Sequence, residues 1–176
     1  MNQVEFWQLI DAAQQEAKGE AELLEAKLVE ALAQNLPNDI IDFEILLQKY
    51  ILEADDFRIM AAQKIIQGWV SDDPYLYFRC WLISQGEHVY FEALRNPDFL
   101  AEIDATEDTI DFEPLLYIAT EAYSMTTGNS EEDESFPRSV AYEQGLDYDS
   151  PTETKGEDWT DEQLPMLLPR LWAKFN

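Results

Sequence analysis

The segment Ser71–Asp98 reads SDDPYLYFRCWLISQGEHVYFEALRNPD and contains the start and body of one helix and the whole of a second. Ser71 is a residue type favoured at helix N-caps, and Pro74 fits the first turn, where its missing N–H needs no partner. Asp72 and Asp73 place negative charge at the positive end of the helix dipole. The sequence therefore predicts that a helix begins here.

Aromatic side chains cover more than half of the circumference of this predicted helix. Tyr75, Phe78 and Leu82 recur at helical spacing, and Tyr77 and Trp81 do so on an adjoining face. A helix that is apolar over so much of its surface belongs in the middle of a fold.

Helical periodicity continues on both sides of this unit. Gly86 can adopt the left-handed conformation that closes a helix, and the Asn96-Pro97-Asp98 step ends the second helix and caps the next segment of the chain. Further predicted helices begin near Asn2, Glu20, Pro37 and Phe57, and a later one includes Phe112 to Tyr123 and stops at Gly128. No run of period two flanked by turn residues occurs. We expect an all-α, single-domain bundle of about six to eight helices.

The last third of the chain has a different composition. Residues 129–159 carry the acidic run SEEDES, two prolines and two glycines, which are typical of a loop, although scattered apolar side chains should pin it to the core in places. Thr160 and Gln163 form a capping pair before an apolar tail. We predict a helical core over 1–128, an acidic loop over 129–159 and a C-terminal helix over 160–176 that docks back, all in one domain.

Composition excludes several classes of protein. With 46% apolar and 12% aromatic residues, this chain of 176 residues is not wholly disordered. It has no run of eighteen apolar residues and no basic leader, so we expect a cytoplasmic protein without a membrane span. The chain has one cysteine, Cys80, and one histidine, His88. These numbers exclude an internal disulfide and the usual zinc sites. We expect no metal and no cofactor.

The charge is strongly negative and unevenly distributed. There are 37 acidic and 11 basic residues, giving a formal net charge of −26, and 20 of the acidic but only 2 of the basic residues lie in Asp98–Glu162. Such a surface repels nucleic acids and anionic membranes, because both are bound through Lys and Arg. We therefore expect no direct binding to nucleic acids or membranes, whereas a basic protein is a possible partner.

Arg79 is the residue of the central helix most suggestive of a site. A guanidinium among aromatic side chains needs a carboxylate or an aromatic face, because an unpaired buried charge is costly. One hypothesis is a polar ligand pocket; its candidate residues are Asp72, Asp73, Tyr77, Arg79 and Trp81. The alternative, more common in proteins, is a helix cap plus an arginine paired with another helix.

Catalytic interpretations have little support. Cys80 and His88 are eight residues apart across Gly86, and a thiol in an apolar helix is usually inert. Asp72 and Asp73 point in different directions at a helix start, where carboxylates cap more often than they catalyse. We expect no catalytic residue.

A calcium-binding pattern is also incomplete. Asp147, Asp149 and Glu153 alternate as in a calcium loop, but Pro151 stands within the pattern and no glycine occupies the turn position. Weak, nonspecific cation binding is the remaining interpretation.

Five segments carry a resemblance to a known family: FWQLI at Phe6–Ile10, SDDPYLYFRCWLISQG at Ser71–Gly86, ALRNPDFLA at Ala93–Ala101, YIATEAY at Tyr117–Tyr123 and PRLWAKF at Pro169–Phe175. They resemble a bacterial family, domain of unknown function 4240. The resemblance implies a cytoplasmic, mainly helical bacterial protein and supplies no activity, cofactor or catalytic residue. This chain differs from the family pattern at Trp69, where a small residue is familiar, and in its acidic loop.

Three functional hypotheses are compatible with these features. The first is a non-enzymatic interaction or regulatory protein whose acidic half binds a basic partner, for example as an inhibitor that covers a nucleic-acid-binding surface. The second is that the charge only keeps a small domain soluble. The third is an enzyme or small-molecule sensor with a pocket around Arg79, Tyr77 and Trp81.

Overall fold

The computed structural model describes residues 1–129, 133–148 and 153–176 and is helical. The α-helices are α1 (Gln3–Ala17), α2 (Ala21–Leu32), α3 (Pro37–Glu53), α4 (Phe57–Gln67), α5 (Asp72–Ser84), α6 (Glu87–Arg95), α7 (Ile118–Thr127), α8 (Pro137–Glu143), α9 (Leu164–Leu167) and α10 (Pro169–Phe175). Three 3₁₀-helices span Pro97–Glu102, Glu113–Leu116 and Asp161–Gln163. Within the described ranges there is no strand, only an isolated parallel bridge between Asp56 and Lys155. The predicted all-α class is confirmed.

Residues 130–132 of the acidic run, and Asp149 and Pro151 of the calcium-like pattern, lie outside the described residues. In the part of the chain that is described, no helix is both long and apolar enough to cross a bilayer.

Local sequence signals account for several helix ends. The side chain of Asn2 accepts hydrogen bonds from the backbone of Val4 (2.9 Å) and Glu5 (3.1 Å), and the Glu5 carboxylate accepts one from the Asn2 N–H (2.8 Å). This is the predicted capping pair. Gly68 and Gly128 follow α4 and α7 with φ of 85° and 74°, a left-handed conformation that glycine adopts without strain.

Other helix ends differ from the prediction. Ser71 occupies the N-cap position of α5, but its side chain makes no capping hydrogen bond. Gly86, with φ of 95°, is the N-cap of α6, and Gln85 is the C-cap of α5, so the glycine turns the chain between the two helices. The predicted helix from Phe112 is interrupted, because the Tyr117 N–H bonds to the Pro114 carbonyl in a 3₁₀ turn (2.9 Å) before α7 begins.

A short helix lies inside the segment predicted as a loop. Pro137 occupies the first turn of α8, and Gly145 follows it with φ of 76°. Phe136 is buried and its ring packs edge-on against Tyr123 of α7, with centroids 5.2 Å apart. Seven residues are too few for a helix to be stable alone, so this packing supports α8.

The chain forms two compact units that alternate along the sequence. The first unit contains Met1–Leu52 and Glu113–Pro151, and the second contains Glu53–Phe112 and Thr152–Asn176.

An aromatic cluster joins α1 and α3 in the first unit. The Phe6 ring lies 4.8 Å from that of Phe43 and 5.2 Å from that of Tyr50, and Trp7 lies 4.8 Å from Tyr50. All four side chains are buried. Offset and tilted ring pairs of this kind stabilise a core beyond the burial of their area.

The amino group of Met1 also contacts α3. It donates to the carboxylates of Asp39 and Asp42, each at 2.6 Å, and is almost fully covered. The hydrogen bonds to Asp39 and then Asp42 raise the pKa of this ammonium. These contacts hold the start of the chain against the beginning of α3.

The second unit contains the central aromatic helix α5. Phe78, Cys80, Leu82 and Ile83 are fully buried, and the Phe78 and Trp81 rings stack with centroids 5.4 Å apart. The interior position predicted for this helix is confirmed.

The C-terminal segment docks on the same unit, as predicted. The buried carboxylate of Asp98 accepts hydrogen bonds from the backbone N–H groups of Arg170 (3.0 Å) and Leu171 (2.9 Å), in the first turn of α10. The Arg170 guanidinium pairs with Glu102 at 2.7 Å. Asp98 thus supplies a capping carboxylate from a distant part of the chain.

A short strap precedes this tail. The backbone of Lys155 exchanges hydrogen bonds with Asp55 (3.1 Å) and Phe57 (2.9 Å), and the Trp159 indole N–H donates to the Phe57 carbonyl (2.6 Å). The last residues of the predicted acidic loop are therefore fixed to the start of α4.

Candidate functional site

The structure places the five residues of the predicted Arg79 pocket at different depths. Asp72 and Asp73 are exposed in the first turn of α5, Tyr77 is half-buried, and Arg79 and Trp81 are buried. Two of the five therefore lie in solvent and two in the interior. A ligand pocket shared by all five stays a prediction.

Arg79 is held partly by its own helix. Its Nε donates to the Tyr75 carbonyl (3.4 Å), and its Cζ lies 4.6 Å from the centroid of the Tyr75 ring. The Tyr75 hydroxyl accepts from the Asp56 N–H at 3.0 Å, and burial raises its pKa. The stacked pair is thereby tied to the N-cap of α4.

The two residues considered as a catalytic pair lie in different environments. Cys80 is fully buried in α5, whereas His88 is exposed on α6 with its ring edge-on to Phe99. Over the described part of the chain, no group of three or more His, Cys, Asp or Glu side chains is arranged to hold a metal ion.

A cavity that was not predicted lies in the first unit. It has a volume of about 570 Å³. Its lining comprises Gln48 of α3, Tyr117 and Thr120 beside and within α7, and Glu134, Phe136, Arg138, Ser139, Tyr142, Glu143, Leu146, Asp147 and Tyr148 around α8. Four aromatic rings and one arginine are thus combined with three carboxylates.

Arg138 is the basic residue of this lining. We call the cavity the Arg138 cavity. The Cζ of Arg138 lies 5.6 Å from the centroid of the Tyr117 ring and 5.5 Å from that of Tyr148. One terminal nitrogen donates to the Leu116 carbonyl. Its Nε is buried without an acceptor among the described residues, and none of their carboxylates forms an ion pair with it.

A buried polar pair lies beneath the cavity. Gln48 donates to the Glu44 carboxylate at 2.8 Å, and its own carbonyl oxygen accepts from the Tyr148 N–H at 3.3 Å. Glu44 and Gln48 are 1% and 2% exposed. Burial raises the pKa of Glu44, while the Gln48 hydrogen bond and the charge of Arg138 oppose this rise.

Glu44→Gln is expected to stabilise the protein near neutral pH. Because the pKa of Glu44 is higher in the folded than in the unfolded chain, the folded state binds the proton more tightly. Stability therefore falls as pH rises from the unfolded pKa through the folded pKa, and the amide, which keeps an acceptor for Gln48, removes this loss. Urea unfolding of the unchanged protein and of Glu44→Gln should be measured across a pH series. The two free energies of unfolding should be equal in acid, and that of the variant should become the larger as the pH rises.

A matched control separates burial from net charge. Glu53→Gln removes one negative charge from the exposed end of the same helix. An equal stabilisation by Glu53→Gln would contradict the role of the buried carboxyl.

A second concave surface lies between α2 and α7. It has a volume of about 500 Å³, and its apolar residues are Ala26, Val29, Ala33 and Met125, of which Met125 is 69% exposed. Four glutamates border it, Glu22, Glu25, Glu30 and Glu121, and none of the described residues that line it is basic. We call this surface the acidic groove.

Most of the negative charge in the acidic groove is not neutralised. Glu30 pairs with Lys27 at 3.4 Å. Glu22, Glu25 and Glu121 form no ion pair with a described residue. The groove therefore presents uncompensated carboxylates around an apolar floor.

Sequence signals for both surfaces exist but are weak. Arg138 is one of only two basic residues in Asp98–Glu162 and follows a helix-starting proline. Glu121 and Met125 are one helical turn apart on α7. Neither signal indicates which distant helix completes the surface.

Comparison with known proteins identifies the family but not the activity. None of the curated proteins and none of the solved structures matches this chain. The model of the family described as "Protein of unknown function (DUF4240)" matches residues 1–125. That range includes the central helix and all the lining residues of the acidic groove, whereas Arg138 and the tail motif at Pro169–Phe175 lie beyond it. Because the match covers well over half of its length, the chain belongs to the DUF4240 family of proteins of unknown function.

Proposed function

We propose that this protein is a non-enzymatic interaction module that binds a basic protein partner, and that a basic, amphipathic segment of that partner docks in the acidic groove. The observation that carries the proposal is the groove itself, in which uncompensated glutamates surround an apolar floor. A segment with Lys or Arg on one side and apolar residues on the other matches both properties.

The charge of the whole chain supports the same partner. A net charge of −26 attracts cationic proteins over a distance and accelerates their encounter at low salt. Long-range charge attraction does not provide an apolar contact. The exposed and flexible side chain of Met125 provides one in the groove. The groove also combines glutamates from two parts of the sequence. Glu121 belongs to the acidic stretch Asp98–Glu162, whereas Glu22, Glu25 and Glu30 lie outside it.

The proposal includes a bacterial, cytoplasmic location. Cys80, the single cysteine, is a buried thiol, and reducing compartments keep cysteines in this form. The partner would be a cytoplasmic protein with a basic surface, such as a nucleic-acid-binding protein whose surface is covered by the module.

A labelled peptide with lysine and leucine on opposite faces of a helix tests the groove. We expect it to bind at low salt and to be released at high salt, as measured by fluorescence anisotropy. The triple variant Glu22→Gln, Glu25→Gln, Glu121→Gln should weaken binding at least about tenfold, because three uncompensated charges are removed.

The control removes the same number of charges elsewhere. Glu107→Gln, Asp108→Asn and Glu157→Gln are exposed and do not line the groove. This triple variant should bind almost as the unchanged protein does. Equal weakening by both triple variants would assign binding to net charge alone, and no binding at low salt would leave solubility as the role of the charge.

A further inference from the structure

We propose that the Arg138 cavity binds a small zwitterionic ligand of the amino-acid class, whose carboxylate pairs with Arg138 and whose ammonium group faces the carboxylates of the cavity rim. This goes beyond the proposed partner binding, because the cavity and the acidic groove share no lining residue.

The guanidinium of Arg138 has unused binding capacity. Arginine has five N–H donors, and here one nitrogen donates to the Leu116 carbonyl while the buried Nε has no acceptor among the described residues. Buried donors are nearly always satisfied in folded proteins. A planar carboxylate matches the fork of guanidinium donors and would form the direct ion pair that Arg138 lacks among the described residues.

The position of this guanidinium is fixed from several directions. Its Cζ lies within 5.6 Å of the Tyr117 ring centroid and 5.5 Å of the Tyr148 ring centroid. The backbone of Tyr148 is in turn bonded to buried Gln48, and Phe136 anchors the start of α8. A preorganised arginine binds a ligand with little loss of side-chain entropy.

The other charges of the cavity define the rest of the ligand. Glu134, Glu143 and Asp147 line it together with Arg138, so the lining has an excess of negative charge. A dianionic phosphate would be repelled by these carboxylates, whereas an ammonium group would be attracted. A ligand with one carboxylate and one ammonium group satisfies both parts of the lining.

The size and aromatic character of the cavity favour an apolar body on this ligand. Its volume of about 570 Å³ lies within the range typical of small-molecule sites. Phe136, Tyr117, Tyr142 and Tyr148 offer ring surfaces on which an aromatic group can pack. An α-amino acid with an aromatic side chain therefore fits best.

Isothermal titration calorimetry with four related compounds tests each part of the proposal. L-Phenylalanine should bind, and 3-phenylpropionate, which lacks the ammonium group, and phenethylamine, which lacks the carboxylate, should each bind at least about tenfold more weakly. Phenyl phosphate should bind more weakly than L-phenylalanine. The proposal is overturned if phenethylamine binds as tightly as L-phenylalanine, or if L-phenylalanine does not bind.

Two variants assign the binding to this cavity. Arg138→Gln should abolish L-phenylalanine binding, and Arg138→Lys, which keeps the charge but not the planar fork, should restore it only in part. Circular dichroism establishes that each variant is folded. The double variant Glu134→Gln, Glu143→Gln changes only exposed rim residues and should weaken L-phenylalanine binding without weakening that of 3-phenylpropionate. Equal effects on both ligands would contradict the assignment of the ammonium group. The two proposals are tested separately: if the lysine–leucine peptide failed to bind the acidic groove, L-phenylalanine binding to the Arg138 cavity would still be expected.

Discussion

Phe78→Ala is expected to lower the free energy of unfolding by about 3–5 kcal/mol. The Phe78 side chain is completely buried in α5 and stacks on Trp81 with centroids 5.4 Å apart. Its removal loses the transfer free energy of the ring and leaves a cavity that the surrounding side chains fill only in part. Urea unfolding followed by circular dichroism should show a lower midpoint with a similar slope.

An exposed phenylalanine in the neighbouring helix provides the control. Phe91 of α6 is 40% exposed, so Phe91→Ala should cost about 1 kcal/mol or less. If both variants lost the same stability, the interior position of α5 would not explain the effect of Phe78→Ala.

Asp98→Ala is expected to cost roughly 3 kcal/mol. The variant leaves the buried Leu171 N–H and the neighbouring Arg170 N–H without their carboxylate acceptor at the start of α10. It also removes the negative charge that interacts with the helix dipole. Amide hydrogen exchange at Arg170 and Leu171 should accelerate more than exchange in α5, because α10 loses its attachment first.

Glu102→Ala tests whether the cap or the nearby ion pair holds α10. It removes the partner of the Arg170 guanidinium, an exposed pair whose expected contribution is about 0–1 kcal/mol. A larger loss for Glu102→Ala than for Asp98→Ala would show that the ion pair, not the cap, fixes the C-terminal helix.

Elements governed by neighbouring residues could be predicted from the sequence. The capping pair of Asn2 and Glu5, the glycines after α4 and α7 and the apolar character of α5 all act within one or two helical turns. Periodicity also indicated that the tail would dock. Such features depend on the α-helical geometry and on local hydrogen bonds, which a single sequence contains.

Features that depend on distant residues could not be predicted in the same way. The Asn96-Pro97-Asp98 step was expected to cap the segment that follows it, and the side chain of Asn96 does so. The carboxylate of Asp98 instead caps α10, which begins about seventy positions later. The Arg138 cavity combines Gln48 with residues 117–148, and no local pattern relates these segments. The short α8 was missed because its seven residues lie among acidic and turn-forming residues and depend on packing against α7.

The predicted Arg79 pocket illustrates a different difficulty. The sequence correctly indicated that a guanidinium lies among aromatic rings, and the structure places it over Tyr75. The spacing of residues on a helix does not determine how deeply each one lies in the fold. Asp72 and Asp73 therefore share a helix with Arg79 and Trp81 but not their burial.

The alternation of the two units along the chain has a consequence for fragments of this protein. A polypeptide that ends at residue 125, where the family match stops, would contain neither unit in full, because it lacks α8 of the first and α9 and α10 of the second. The apolar surfaces that Leu164, Leu168 and Leu171 contact would then face water. Such a truncated polypeptide should aggregate, and its recombinant production should use boundaries that retain the C-terminal segment.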